Sequence, residues 1–285
     1  MISRRTFLLQ ILLTLAGCQF SKTSTPQGLD QITIGTVAYG EGSQTADQYQ
    51  RFTQYLEQQT KSFVQLEPAY NEVQAIEQIQ RQAWSLVFAP PGLAAIAVAK
   101  AMYVPLFPLS GVANLSSILV VRQDSPIRAL TDVNGQVLAL GQPGSATAYY
   151  VPLYELYGTE PAEVRIAPTP KMILEWLARS QVGVGAMAKN EFDRYRSTIR
   201  GTAFRVLHTS RRLPSGSVLI SPKVDRNLQE VIQQAMNRAL PTIAQEAGYI
   251  PNAQPPNYET LITFIQKVEP IETHIQEKPA PLYTR

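Results

Sequence analysis

Residues 136–152 read Gln-Val-Leu-Ala-Leu-Gly-Gln-Pro-Gly-Ser-Ala-Thr-Ala-Tyr-Tyr-Val-Pro. The apolar run from Gln136 to Leu140 predicts a buried strand, small turn-forming residues follow, and Ser145 opens a predicted helix that runs to Tyr157. Strand, turn and helix in that order are the unit from which α/β proteins are assembled. The turn also carries chemistry. Small side chains let a guest approach the backbone closely, and Ser145 and Thr147 bring hydroxyl donors. The first N–H groups of a helix lack intrahelical acceptors and sit at the positive end of its dipole. An anion site fits this pattern, and so does a plain serine N-cap.

The alternation extends in both directions. Upstream, strands are predicted at Gln31–Val37, Phe63–Glu67, Ser85–Ala89 and Tyr103–Leu109. Between them lie three predicted helices. One begins near Ser43 or Thr45 with Tyr49, Phe52 and Leu56 as its apolar stripe, one begins at Asn71 with Gln74 completing a capping box, and one runs from Leu93 to Ala101. Downstream, strands are predicted at Ser117–Arg122, Val164–Ala167, Val182–Met187, Phe204–His208 and Ser217–Ile220. Helices are predicted from Thr169-Pro170 through Ser180, at Asn227–Ala247 and at Tyr258–Lys267.

Helices between short strands give an α/β fold with mostly parallel sheets. The chain divides into two lobes, residues 31–115 plus 218–285 and residues 116–217, with hinge crossings near 114–117 and 210–217. Ligands in such folds bind in the crevice at the carboxyl ends of strands.

Composition excludes several classes of function. The 285 residues are 45% hydrophobic and 16% charged, which is the balance of a folded globular chain. Lys and Arg number 25 against 22 Asp and Glu, without a basic stripe, so no nucleic-acid partner is expected. One cysteine and two histidines leave no disulfide framework and too few soft ligands for a metal centre. No cofactor and no metal are expected. His208 and His274 lack partners suggesting catalysis, so the chain is not expected to be an enzyme.

The N-terminus reads as an address. Arg4-Arg5 precedes the apolar run Phe7–Ala16, too short to span a bilayer permanently and suited to a signal peptide. Ser3-Arg4-Arg5-Thr6-Phe7-Leu8 resembles a twin-arginine export signal. Leu15-Ala16-Gly17-Cys18 resembles the bacterial lipobox, which implies cleavage after residue 17, diacylation of Cys18 and a tether over residues 18–30. The expected product is an extracytoplasmic, membrane-anchored lipoprotein that works as a monomer.

The run Ser117-Ile118-Leu119-Val120-Val121-Arg122, followed by Leu130-Thr131-Asp132-Val133-Asn134-Gly135 and then Gly141–Pro152, resembles substrate-binding proteins of phosphate, phosphite and phosphonate ABC transporters. The resemblance implies a two-lobed type 2 periplasmic-binding fold with a ligand cleft between the lobes. It also implies a small phosphorus oxyanion as guest and a membrane permease as partner. Ser145 and Thr147 match the two serines of the family's binding loop, while Ala146 and Ala148 stand where the family has threonine and glycine, leaving backbone N–H groups at 146–148.

Phe88-Ala89-Pro90-Pro91-Gly92 resembles the family's Gly-Pro turn, which places Pro91 at the ligand; Leu93 and Ala94 lack the aromatic hydroxyl found there. Tyr39, at the end of the first strand, is the candidate cover from the opposite lobe. Val184 stands where the family often has a carboxylate, and no carboxylate follows until Glu191, so a simple oxyanion or non-amine analogue is expected. Lys189 is a candidate source of positive charge. A sensor delivering its bound state to a receptor kinase, or an enzyme on the same fold, are the alternatives.

Overall fold

A computed structural model describes residues 31–38, 42–111 and 115–284. The signal and tether segments, Cys18 and Tyr39 lie outside the described residues.

The first part of the chain runs β1 (Gln31–Val37), α1 (Gly42–Thr60), β2 (Phe63–Ala69), α2 (Glu72–Gln80), β3 (Leu86–Ala89), α3 (Pro91–Ala101) and β4 (Val104–Pro108). The middle part runs β5 (Ser117–Arg122), β6 (Val137–Leu140), a π-helical turn (Ala146–Tyr150) leading into α4 (Val151–Glu155), β7 (Glu163–Ile166), α5 (Pro170–Ala178), β8 (Val184–Ala188), α6 (Lys189–Tyr195) and β9 (Phe204–Thr209). The chain ends with β10 (Ser217–Ile220), α7 (Arg226–Arg238), α8 (Pro241–Ala247) and α9 (Glu259–Glu272).

These strands make two five-stranded sheets, ordered β2-β1-β3-β10-β4 and β7-β6-β8-β5-β9. In the first, β1 runs parallel to β2 and β3 while β10 opposes β3 and β4. In the second, β6 runs parallel to β7 and β8 while β5 opposes β8 and β9. Each sheet is therefore mixed, because the strand that enters from the other sheet inserts against the run of its neighbours. The two crossing segments lie side by side: Leu109 N–H donates to Gly216 O at 2.9 Å and Leu213 N–H to Leu115 O at 2.8 Å.

Burial explains why these short apolar runs become strands. Along β5, Ile118 and Val120 face one apolar cluster while Leu119 and Val121 face another. Along β3, Leu86 and Phe88 divide from Val87 and Ala89 in the same way. Period-two alternation thus feeds a core on each face of the strand, which is why the runs are apolar throughout. The predicted stripe of α1 packs as read: Tyr49 and Phe52 meet the Phe88 ring edge-on at 4.9 and 5.5 Å.

Prolines break two predicted helices. Asn227–Ala247 divides at Leu240, which takes the extended backbone that a following proline imposes, and Pro241 starts α8. Ser145–Tyr157 divides into the π turn and α4. Pro152 has no N–H to donate to Ala148 O four residues back, and Gly141 N–H takes that carbonyl instead at 2.9 Å.

The helix α9 buries Leu261, Ile265, Val268 and Ile271 in the cluster that also holds α3 and Tyr149. Beyond it, Ala280 and Leu282 donate to Pro161 O and Thr159 O at 2.8 and 2.9 Å. The C-terminal tail is therefore hydrogen-bonded to the segment just ahead of β7, on the side of the second sheet.

Candidate ligand cleft

A cleft of about 400 Å³ opens at the carboxyl ends of the parallel strands of both sheets. Thr36 and Phe88 reach it from β1 and β3, Gly141 and Ala188 from the ends of β6 and β8, and Ser215 and Gly216 from the crossing. Ser145, Ala146, Thr147, Ala148 and Pro91 all line it, so five of the residues singled out in the sequence share one cavity.

The 145–148 turn is held firmly. Ser145 is the N-cap, and its Oγ accepts from Ala148 N–H at 3.1 Å. That bond removes Ala148 from the expected set of free backbone donors, leaving the first-turn N–H groups of Ala146 and Thr147 without an intrahelical acceptor. The Ser145 hydroxyl, already accepting, keeps its own proton to donate. From the opposite side, buried Ser117 donates from Oγ to Thr147 O at 2.5 Å and fixes the turn to β5.

Four further helices begin at the same cavity. Residues at the starts of α2 (Glu72), α3 (Pro90, Pro91), α5 (Thr169, Pro170) and α6 (Asn190, Glu191) join the 145–148 turn in the lining. Each N-terminus carries partial positive charge, so five of them turn the positive ends of their dipoles toward the cleft without a cationic side chain. Among the described residues, no Lys, Arg or His lines it. Lys189, the candidate cation, instead pairs with Asp193 at 2.7 Å on the exposed face of α6. His208 lies 3.1 Å from Glu155, and His274 lies 2.6 Å from Glu277; neither is in the lining.

The titratable groups described in the lining are Tyr49, Glu72 and Glu191. Burial pushes the Tyr49 phenol up to about 12, and its hydrogen bond with Thr36 opposes that rise. Burial pushes the Glu191 carboxyl from its usual 4.5 to about 7, and the negative charge of Glu72 adds to the rise. A bond from Ala188 N–H to Glu191 Oε2 at 3.2 Å, together with Arg194, pulls the other way. A carboxylate therefore does reach the cleft, and it is Glu191, the first to follow Val184 in the sequence. The protein chain supplies it from the first turn of α6, beyond the strand, and Val184 itself is buried in the core.

This raised carboxyl links stability to pH. Between about 4.5 and 7 the folded chain holds a proton that the unfolded chain has released, so its stabilisation is complete below 4.5 and is lost as pH rises through 7. Chemical denaturation from pH 5 to pH 8 is expected to show Glu191→Gln losing less stability than the wild type, by on the order of 2 kcal/mol. Parallel pH profiles for the two proteins would contradict it.

Sequence reasoning missed Tyr49, Glu72, Thr169 and Glu191 as cleft residues. Tyr49 was read as core because its helical spacing with Phe52 and Leu56 is that of a packing stripe. The usable signal lay in position: Glu72, Thr169 and Glu191 each fall within a few residues of a strand's carboxyl end. No group of three or more His, Cys, Asp or Glu among the described residues is placed to hold a metal ion.

Two α/β sheets joined by paired crossings, with a cleft at the strand ends between them, define a two-lobed periplasmic-binding receptor for a small solute. A family model for the periplasmic substrate-binding proteins of phosphonate ABC transporters matches residues 34–249, and the chain belongs to that family. The family is one of transport binding proteins that act outside the cytoplasm, not a class of enzymes. No helix among the described residues is long and apolar enough to cross a membrane.

The fold is similar to XAC2383 from Xanthomonas citri bound to chloride ion, at 17% identity and a TM-score of 0.73, covering 84% of this chain and 98% of that one. It is similar to a binding protein component of an ABC phosphonate transporter from Pseudomonas aeruginosa, at 16% identity and 0.64, covering 87% and 88%. It also resembles PhnD1 from Prochlorococcus marinus in complex with methylphosphonate, at 11% identity and 0.67, covering 84% and 98%. At these identities the likeness is one of fold. No curated protein sequence matches the chain.

Proposed function

We propose that this chain captures a small phosphorus oxyanion, namely phosphate, phosphite or an alkylphosphonate, and delivers it to a membrane permease. The observation that carries the reading is the convergence of five helix N-termini on one cavity, with the unpaired first-turn N–H groups of Ala146 and Thr147 and the Ser145 hydroxyl at its wall. Neutral donors hold an anion without a fixed counter-charge, which suits a carrier that must release its cargo. Contacts from both lobes favour the closed form when the guest is present. Diacylation of Cys18 would keep the receptor beside its permease; the mass of the mature N-terminal peptide tests that anchor.

Titration calorimetry on folded, ligand-stripped protein with methylphosphonate, phosphite and phosphate is the direct test. At least one is expected to bind at micromolar concentration or tighter, and silence from all three overturns the oxyanion reading. Ser145→Ala removes both the cap and a hydroxyl donor. It is expected to weaken binding roughly 10-fold, on the scale of one hydrogen bond to a charged group, and to lower stability by about 1 kcal/mol. Unchanged affinity would remove Ser145 from the site.

A further inference from the structure

The cleft of about 400 Å³ falls in the size range of pockets that enclose a drug-sized ligand, and phosphate or methylphosphonate occupies a small part of such a volume. That volume is not the gap of a gaping cleft, because its two sides already meet. At Gly92 of α3 a β-carbon would stand 2.1 Å from Gly144 O and 2.6 Å from Ala146 N. The room that remains beyond the oxyanion therefore calls for more of the guest.

Sheet order gives the 145–148 turn a different neighbour on each side, since β6 lies between β7 and β8. On the β8 side the lining is polar, with Asn190 and Glu191 in the first turn of α6. On the β7 side it is hydrocarbon: Pro168 and Pro170 keep surface open to the cleft, backed by buried Ala167 and Ile173. Ala167 N–H donates to Leu140 O at 2.8 Å, which ties this apolar turn to the strand leading into the donor turn. The one hydroxyl among them, on Thr169, caps α5 by accepting from Met172 N–H at 3.3 Å. Ile173 packs in the core of the second sheet, so this wall is formed before any guest arrives.

We infer that the guest is a phosphorus oxyanion carrying an uncharged organic group larger than methyl. Its oxyanion lies at the 145–148 turn and its organic group against the rings of Pro168 and Pro170. This rests on the oxyanion reading proposed above and names the class of guest within it. Hydrocarbon placed on this wall leaves water without stranding a polar group, and each further CH2 so covered adds to affinity. A charged substituent in the same place would give up its water and meet no partner on the proline rings. The two sides of the donor turn thus separate two classes of substituent: apolar groups suit the β7 side, and a cationic group would suit the β8 side, where Glu191 stands.

The experiment is calorimetry on the folded, ligand-stripped protein at a single pH with methylphosphonate, propylphosphonate and aminoethylphosphonate. Propylphosphonate is expected to bind roughly tenfold tighter than methylphosphonate, the gain of covering two further carbons. Aminoethylphosphonate has the shape of propylphosphonate with an ammonium group in place of the terminal methyl, and is expected to bind more weakly than it. Pro168→Ser trims the wall at an exposed position, so the variant is expected to fold. It should reduce the advantage of propyl over methyl about threefold, the worth of roughly one CH2.

If methylphosphonate binds and propylphosphonate gains less than about threefold over it, short of a single CH2, the organic group has no wall to rest on. The inference is then overturned while the oxyanion reading stands. Aminoethylphosphonate binding as tightly as propylphosphonate, or tighter, would mean that the substituent turns toward Glu191, and would also overturn it. A propyl advantage left unchanged by Pro168→Ser would take the β7-side wall out of the site, with the same consequence. Should none of the three bind, nor phosphate or phosphite, the oxyanion reading fails and this inference fails with it.

Discussion

Gly35→Ala is expected to lower the free energy of unfolding by about 3 kcal/mol, at the top of the usual range for overpacking a core. Gly35 lies in the middle of β1, paired with Glu67 of β2 and Val87 of β3. A β-carbon there would fall 1.9 Å from Trp84 Cδ2, 2.1 Å from Cε3 and 2.6 Å from Cε2. Those atoms belong to a rigid ring that is 1% exposed, so no flexible end can swing aside. The backbone beneath the ring is held too, since Tyr103 Oη donates to Trp84 O at 2.8 Å. For a chain of this size the melting temperature is expected to drop by roughly 6–12 °C. Adding Trp84→Phe should restore part of the loss, because a smaller ring leaves room for the methyl group and removes a buried indole N–H that has no hydrogen-bond partner. A melting temperature within 2 °C of wild type for Gly35→Ala alone would show that the ring can move, contrary to this packing.

The collision also shows what a sequence can and cannot disclose. Gln31–Val37 was readable as a strand because Ile32 and Ile34 alternate with smaller residues, and the strand runs over those same residues. Nothing in that pattern places an indole from beyond β2 against its fifth residue. Ser117–Arg122 and Ser217–Ile220 were equally readable, since each is an apolar run bounded by turns and each is buried on both faces. The helix α6 was not. It has seven residues and buries only Phe192 from them, too little periodicity to separate from a loop. The breaks at Pro152 and Pro241 were available to a stricter reading, because proline withdraws an N–H wherever it stands.

The cleft divides in the same way. Ser145–Ala148 carried a local signal, small residues and hydroxyls between a strand and a helix, and those residues line the cavity. Glu72 and Glu191 are 119 positions apart and carry none; only the meeting of the two sheets brings them to one cavity. Local chemistry announced the donors. The two carboxylates that share the cavity with them became visible only through the tertiary fold.

Gly92→Ala is expected to weaken ligand binding while sparing the lobes. Gly92 is the second residue of α3, on the side of the first sheet. A β-carbon there would lie 2.1 Å from Gly144 O and 2.6 Å from Ala146 N, both backbone atoms of the donor-bearing turn on the side of the second sheet. Neither side has a side chain that can rotate out of the way. Moving the turn would break the Ser117 bond to Thr147 O and the Ala148 bond to Ser145. Within its own helix, alanine is the better residue by about 1 kcal/mol, so the helix itself has no reason to unwind. The least costly relief is to draw the two sides of the cleft apart, which carries the Ala146 and Thr147 N–H groups away from any guest held by α2 and α3. An overlap of about 1–3 kcal/mol, placed wholly on the closed form, lowers affinity roughly 5- to 150-fold. Calorimetry with methylphosphonate measures that loss, and small-angle scattering should find the variant more open than the wild type when ligand is present. Far-ultraviolet circular dichroism is expected to be unchanged. Wild-type affinity together with a wild-type scattering profile would mean that closure does not depend on this contact, and the arrangement of donors at the cleft would then need another support.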